Sequence, residues 1–386
     1  MNIVIDGRSL GQKPTGIGIY AYNFIREILN SEDHYVILTD VAESKEIKAL
    51  EELGVPVVCY GKLVYRSSGV LGYFGFIRDY LRDHQPDVFW EPNILIPRKL
   101  TGYHGKVIIT IHDMFPITHR QYFDWKYYPY FRLMLSKTLR YTDGITYNSL
   151  ETKKETERFF PQAKKKKSFL TYIIVPKMEP SKEGSGEVEE LSKVAKDFKP
   201  QGRKLEPGYF LYVGNLEKRK GVDLLLQGYA AYRKNGGTMP LVLAGKSREA
   251  DVDMAICHAM AADEKILLAG YVEEDEKKVL YQHCGCFVFP SRAEGFGISV
   301  VEAMNYQKPI LLSDLTIFKE IVGDVVEYFP LSQGADGLCK ALATMEAKRE
   351  NIEAQQKSHP EEYGAVVERY LPKHLRDKML EALQNV

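Results

Sequence analysis

Neither sign of charge is in excess. Lys+Arg and Asp+Glu both number 52 among 386 residues, so the formal net charge is zero. That balance argues against a nucleic-acid binder held by a global basic field, and no nucleic-acid partner is expected. Cysteine is scarce and odd in number, with five residues at positions 59, 257, 284, 286 and 339. Their scatter argues against a disulfide framework and suits a reducing cytosol. Cys284-Gly285-Cys286 has no second Cys/His pair at zinc-like spacing, so it reads as small core filler entering a strand. No apolar run approaches the ~20 residues needed to span a bilayer. The chain opens directly on a strand-like run, Asn2 to Ile5, without a signal peptide, and a cytoplasmic location is expected. No short internal repeat is present.

What is there suits a soluble protein of two or three domains, at roughly 150 residues each. Apolar residues make up 45% and charged residues 27%. Short apolar runs alternate with helical spacing along the chain, which predicts α/β architecture with doubly wound parallel sheets. In the first half, Ile3 to Ile5, Tyr35 to Thr39, Val57-Val58, Asp87 to Trp90, Val107 to Ile111 and Gly144 to Tyr147 read as strands. A glycine-rich loop, Gly11 to Gly18, precedes a helix predicted over Ile19 to Leu29. A Pro/Gly/Ser-rich, charged segment at 179–207, around a helical piece at Val188 to Phe198, reads as a linker. A second series follows with strands at Tyr209 to Val213, Leu241 to Ala244, Ile266 to Leu268, Cys286 to Phe289 and Ile310 to Leu312. The expected domains are 1–178, 208–362 and a final helical stretch, 363–386.

One stretch organises the rest: Pro290 to Met304, P-S-R-A-E-G-F-G-I-S-V-V-E-A-M. It lies on a strand–loop–helix junction. Gly295 and Gly297 let the backbone approach a ligand closely, and the helix behind them offers N–H groups and a positive dipole end to an anion. Glu294 and Glu302 flank the turn, where they can accept hydrogen bonds from uncharged, hydroxyl-rich groups. Earlier, L-Y-V-G-N-L-E-K-R-K-G places Arg219 and Lys220 between a strand and a helix. A cation there stabilises a leaving group that gains negative charge. His112, in T-I-H-D-M-F-P, ends another strand. In open α/β sheets ligands bind beyond the carboxyl ends of the strands, and every one of these residues falls there.

The E-G-F-G and V-E-A-M pair resembles the signature of retaining glycosyltransferases of the large bacterial group 1, family 4 type, which includes many mannosyltransferases. The resemblance implies two Rossmann-like domains facing across a cleft (GT-B), with the last helix crossing back to the first domain. It implies a hexose, mannose first, moved from a GDP- or UDP-linked donor to a saccharide or lipid-linked acceptor in surface polysaccharide or glycolipid assembly. Lys220, with Arg219, resembles the phosphate-binding cations, Glu294 the sugar-hydroxyl contact and Glu302 the ribose-binding acid. Gly295, Phe296, Gly297 and Ile298 form the donor turn, and Gly16 and Gly18 line the cleft. His112 resembles the histidine that contacts the transferred sugar. Asn215 stands where many relatives place an arginine, and the asparagine–glycine turn usual before the linker is replaced by I-I-V-P-K-M. No cofactor and no metal are implied, since the Asp251-Val252-Asp253 pair starts a helix away from the motif.

Other readings fit part of the pattern. Gly16-Ile17-Gly18 with Asp40 matches a dinucleotide fingerprint, which an NAD(P)-dependent oxidoreductase would use. A sugar-nucleotide epimerase shares the fold, a glycosidase would use Glu294 and Glu302 as its carboxylate pair, and a catalytically dead binding module is the remaining alternative. The lysine run 164–167 and the aromatic stretch Tyr122 to Tyr141 read first as solvated loop and core; together they also suit peripheral contact with an anionic membrane.

Overall fold

The computed structural model describes residues 1–14, 16–29, 32–64, 69–178, 205–247 and 249–386. Most of the predicted linker, residues 179–204, lies outside the described residues, as does its helical piece. The chain divides into two compact units: Met1–Ile174 together with Tyr370–Val386, and Val175–Arg369.

The first unit is built on a seven-stranded sheet. Its strands are β1 (Asn2–Asp6), β2 (His34–Thr39), β3 (Val57–Cys59), β4 (Val88–Glu91), β5 (Lys106–Ile111), β6 (Gly144–Tyr147) and β7 (Lys167–Leu170), in the order 3-2-1-4-5-6-7. Every pairing is parallel. Strands buried on both faces need continuous apolar runs; β4 and β6 are buried along their whole length. The order reverses between β1 and β4, so their carboxyl ends, Asp6 and Glu91, lie side by side at the switch point.

The predicted loop up to Gly18 is corrected here. The helix runs Gly16–Ile28, so both glycines sit in its first turn rather than in a loop. Gly18 is needed for close approach: a Cβ there would lie 2.2 Å from the Ser9 carbonyl oxygen. Gly16 has open space around it.

The second unit carries a six-stranded parallel sheet: β8 (Phe210–Val213), β9 (Leu241–Ala244), β10 (Ile266–Gly270), β11 (Cys286–Phe289), β12 (Ile310–Ser313) and β13 (Glu327–Phe329), in the order 10-9-8-11-12-13. This is the doubly wound 3-2-1-4-5-6 order, whose ligand crevice opens beyond the central pair of strands. That pair is β8 and β11, the two strands that feed the Lys220 loop and the Glu294 turn. Cys284 and Cys286 are buried filler beside β11.

The single helix predicted over Tyr363 to Gln384 is two, Pro360–Glu368 and Pro372–Gln384. Pro372 removes an N–H and excludes its predecessor from helical backbone, and Leu371 is extended at φ −70°, ψ 151°. The break separates the units: the first helix belongs to the second unit, while the last packs on Gly16–Ile28 and β7. Lys167 Nζ donates to the Asn385 carbonyl at 2.5 Å.

Candidate active site

At the switch point of the second sheet, the β8 loop and the β11 loop are stitched together. Gly221 makes this possible. Its backbone is left-handed at φ +74°, and a Cβ there would lie 2.0 Å from the Pro290 carbonyl oxygen, a position only glycine tolerates. Arg292 N–H donates to the Arg219 carbonyl at 2.9 Å, and the Arg292 guanidinium grips Asp223 with bonds of 2.6 and 3.0 Å. Tyr212 stacks on Phe289 and donates to the Asn215 carbonyl at 2.7 Å, anchoring the β8 loop from below. Burial holds the Tyr212 phenol well above its ordinary value, so it stays a neutral donor.

Between the loops, Lys220 Nζ lies 3.4 Å from Glu294 Oε1, with the Ser291 hydroxyl donating to the same oxygen at 3.1 Å. Ser291 is fully buried, and its carbonyl accepts from Ser313 at 2.6 Å. Gly295 follows, Phe296 is a core side chain, and Gly297 caps the helix Ile298–Asn305 in left-handed backbone. Arg219 takes a different part from a free phosphate cation. It donates to the Ala293 carbonyl at 2.7 Å and to Glu217 at 3.1 Å, and so ties one loop to the other. Asn215 is exposed, with its carbonyl spent on Tyr212.

Glu302 sits on the helix behind the turn with different partners. Lys277 Nζ lies 2.9 Å from Oε1, and the Tyr281 hydroxyl donates to Oε2 at 2.9 Å. Burial opposes the charge of Lys277, but Glu302 and Glu274 outweigh it and raise its pKa, so it remains a cation. Lys277 and Tyr281 lie outside every motif of the sequence, and Ser291 and Arg292 lie inside the Glu294 stretch without a role assigned to them there. Lys277, Tyr281 and Arg292 become significant only through contacts with distant segments, whereas Ser291 bonds Glu294 three residues on. Asp251 is paired with Lys218.

His112, Gly16 and Gly18 belong to the first unit. His112 follows β5 and is buried, with Nε2 2.8 Å from the Pro92 carbonyl and the Tyr20 ring edge-on at 4.7 Å. A carbonyl only accepts, so Nε2 carries the proton and Nδ1 is left as an acceptor. Burial lowers the pKa from 6.5 to about 4, against the opposing effect of the Pro92 bond. The imidazole is therefore neutral at physiological pH and a poor general base. As pH falls below 6.5 the unfolded chain takes up this proton before the folded one does, so stability is lost between about pH 6.5 and 4. Unfolding at pH 7 and pH 5 should differ by about 2 kcal/mol on this account, and His112→Gln should remove that increment; an unchanged pH dependence in the variant would contradict it. Asp40, the acid that a dinucleotide reading needs, is turned into its own loop instead: Oδ1 accepts from Val41 N–H and Oδ2 from Val64 N–H, both at 2.9 Å.

Residues 14–167 match the family described as Glycosyltransferase Family 4, and residues 193–359 match Glycosyl transferases group 1. The chain belongs to this glycosyltransferase family. An O-antigen chain mannosyltransferase B of Escherichia coli is 27% identical over 249 residues, 63% of this chain and 61% of that relative's length. The O-antigen chain mannosyltransferase RfbU of Salmonella typhimurium is 22% identical over 332 residues, covering 83% of this chain and 84% of RfbU. Among solved structures, Anabaena Alr3699/HepE in complex with UDP and glucose superposes with a TM-score of 0.74 at 15% identity, over the whole of both chains. WaaG, a glycosyltransferase involved in lipopolysaccharide biosynthesis, superposes with a TM-score of 0.71 at 12% identity, likewise over both chains. Each unit thus carries a parallel α/β sheet, as in the GT-B fold of these neighbours.

Proposed function

We propose that this family member is a retaining, metal-independent glycosyltransferase. It moves a hexose, mannose first, from a GDP- or UDP-linked donor to a saccharide or lipid-linked saccharide acceptor in O-antigen or related surface polysaccharide assembly. The observation that carries this reading is the placement of Lys220 against Glu294 at the β8/β11 switch point. A diphosphate lying on the turn would meet the Lys220 ammonium, while the sugar hydroxyls would meet the Glu294 carboxylate. Negative charge grows on the departing phosphate as the glycosidic bond breaks, so the lysine stabilises the transition state more than the ground state. The departing phosphate takes the acceptor proton on the same face, and no carboxylate nucleophile is used.

Glu302 is assigned to the ribose hydroxyls. The cationic side chain and the helix N-terminus supply the positive charge that other phosphate sites take from a divalent ion. The Asp-x-Asp pair is poorly suited to a metal, because Asp251 is held by Lys218. Among the described residues no helix is long and apolar enough to cross a membrane. Trp125, 78% exposed, with Tyr130, Leu133 and the neighbouring Lys126, Arg132 and Lys137, supports peripheral contact with the inner face of the membrane, where a lipid-linked acceptor would lie.

The test uses the full chain. GDP and UDP are screened by thermal shift, and the chain is then assayed with GDP-mannose and UDP-glucose in the presence of chelator, reading the product anomer by NMR. Retention with activity intact is expected. An inverted product, or activity abolished by chelation, would overturn the mechanism.

A further inference from the structure

We propose that Lys277 and Tyr281 are positioning residues for donor recognition, which hold the Glu302 carboxylate in one plane so that each of its oxygens keeps a lone pair directed at a ribose hydroxyl. The inference rests on the assignment of Glu302 to the ribose.

Lys277 and Tyr281 are four residues apart on the helix Glu274–His283, so they project from one face of it. Each takes a different oxygen of the same carboxylate: Lys277 at 2.9 Å on Oε1, Tyr281 at 2.9 Å on Oε2. A carboxylate has about four acceptor sites; these two bonds use one on each oxygen and fix the plane of the remainder. Both partners are themselves held. Lys277 Nζ also meets Glu274 at 3.0 Å. The Tyr281 ring is buried and stacks on Tyr306, with centroids 5.4 Å apart and an interplanar angle of 16°. The Tyr281 hydroxyl reaches the Ser299 carbonyl as well, at 3.3 Å. A long acidic side chain on a helix surface ordinarily samples several rotamers, and ordering it on ligand binding costs affinity. Here the ordering is complete before the ligand arrives. The arrangement also separates two tasks. Glu294 faces the cation of the phosphate loop, whereas Glu302 is supported from a different helix.

Affinities of the full chain for GDP, UDP and ADP, and for their 2′,3′-dideoxy forms, test this by calorimetry. The ratio of ribo to dideoxy affinity isolates the hydroxyl contact, because any general loosening of the site affects both ligands alike. The native chain is expected to favour the ribo form of its nucleotide by about tenfold or more, and Glu302→Ala to abolish the preference. Tyr281→Phe and Lys277→Met should each reduce the ratio by about three- to tenfold while leaving dideoxy affinity unchanged. Lys277→Arg, which retains the charge, should restore much of it. If Glu302→Ala abolishes the ratio but Tyr281→Phe and Lys277→Met keep it, the positioning role is wrong and the ribose assignment stands. If Glu302→Ala keeps the native ratio, or no nucleotide binds, the ribose assignment itself fails and the inference with it. Tighter ribo binding by either helix variant would show that these residues block Glu302 rather than present it, and would equally overturn the proposal.

Discussion

Lys220→Ala is expected to lower kcat by about ten- to hundredfold. The lysine stands on a polar loop, half-buried, with its ammonium 3.4 Å from Glu294 and 5.3 Å from the centre of the Phe289 ring. A charge-assisted hydrogen bond is worth roughly 1.5–3 kcal/mol, and about 1.4 kcal/mol is tenfold in rate. The full loss falls on kcat only if the bond strengthens as the diphosphate departs. A rise in KM with kcat unchanged would show that Lys220 holds donor and transition state equally, and would refute the assigned role. The paired variant is Glu294→Gln, which keeps the shape and an acceptor oxygen but removes the charge. Turnover should fall while affinity for the free nucleoside diphosphate stays near native, because the proposed contact is to the sugar. The Ser291 hydroxyl can still donate to the amide oxygen, so the turn itself should survive. Steady-state kinetics with a sugar-nucleotide donor and calorimetry with the bare nucleotide separate the two effects. Full activity in both variants would place the site elsewhere.

Arg8→Ala should cost about 3–5 kcal/mol of stability, the usual scale for removing one partner of a buried ion pair. Asp6 and Glu91 are fully buried at the carboxyl ends of β1 and β4. Asp6 Oδ1 accepts from the Tyr73 hydroxyl at 2.6 Å and from Arg8 N–H at 2.9 Å. Glu91 Oε1 accepts from Asn93 N–H at 2.9 Å. The second oxygens, Asp6 Oδ2 and Glu91 Oε2, have no hydrogen-bond donor among the described residues. A Glu91 carboxyl that keeps its proton can donate it to Asp6, and the Arg8 guanidinium lies 3.6 Å from Asp6 Oδ2. Burial, followed by the Asp6 charge, holds the Glu91 carboxyl well above its ordinary 4.5, with Arg8 opposing the shift. Burial opposes the charge of Arg8, and the attraction of Asp6 is the largest effect that raises its pKa.

The sign for pH follows from linkage. Above 4.5 the unfolded chain has released the Glu91 proton while the folded chain retains it. Stability therefore falls as pH rises from 4.5 towards the raised folded value. Glu91→Gln keeps a donor for Asp6 and an acceptor for Asn93 without the titration, so it should be nearly neutral at low pH and should flatten that slope. Denaturant unfolding across pH measures both. A Glu91→Gln variant as damaged as Arg8→Ala would mean that Glu91 is ionised in the folded state.

Much of the architecture is legible in the chain itself, because its signals are local. Runs such as Cys286–Phe289 and Leu241–Ala244 are short, apolar and bounded by turn residues, which is what a strand buried on both faces requires. The Glu294 turn and the Lys220 loop announce their chemistry through residue types within a few positions of one another. Errors arose where a local signal was outweighed. Glycines at 16 and 18 read as loop, yet the helix starts at Gly16, and the glycine at 18 answers to close contact with the Ser9 carbonyl rather than to a turn. Pro372 divides the final helix despite the apolar spacing on either side of it, because it supplies no N–H.

Partnerships between distant segments were beyond the reach of sequence. Lys277 lies 25 residues before Glu302, and Tyr73 lies 67 residues after Asp6. Which side chains meet at a sheet's carboxyl edge depends on the order in which strands pair, and that order is chosen by burial summed over the whole unit. Local propensity determined that β1, β4, β8 and β11 are strands. Only the folded sheets made β1 the neighbour of β4 and β8 the neighbour of β11. That choice brought Glu91 to Asp6 and Lys220 to Glu294, because a parallel pair aligns its carboxyl ends and leaves the residues just beyond them within bonding distance.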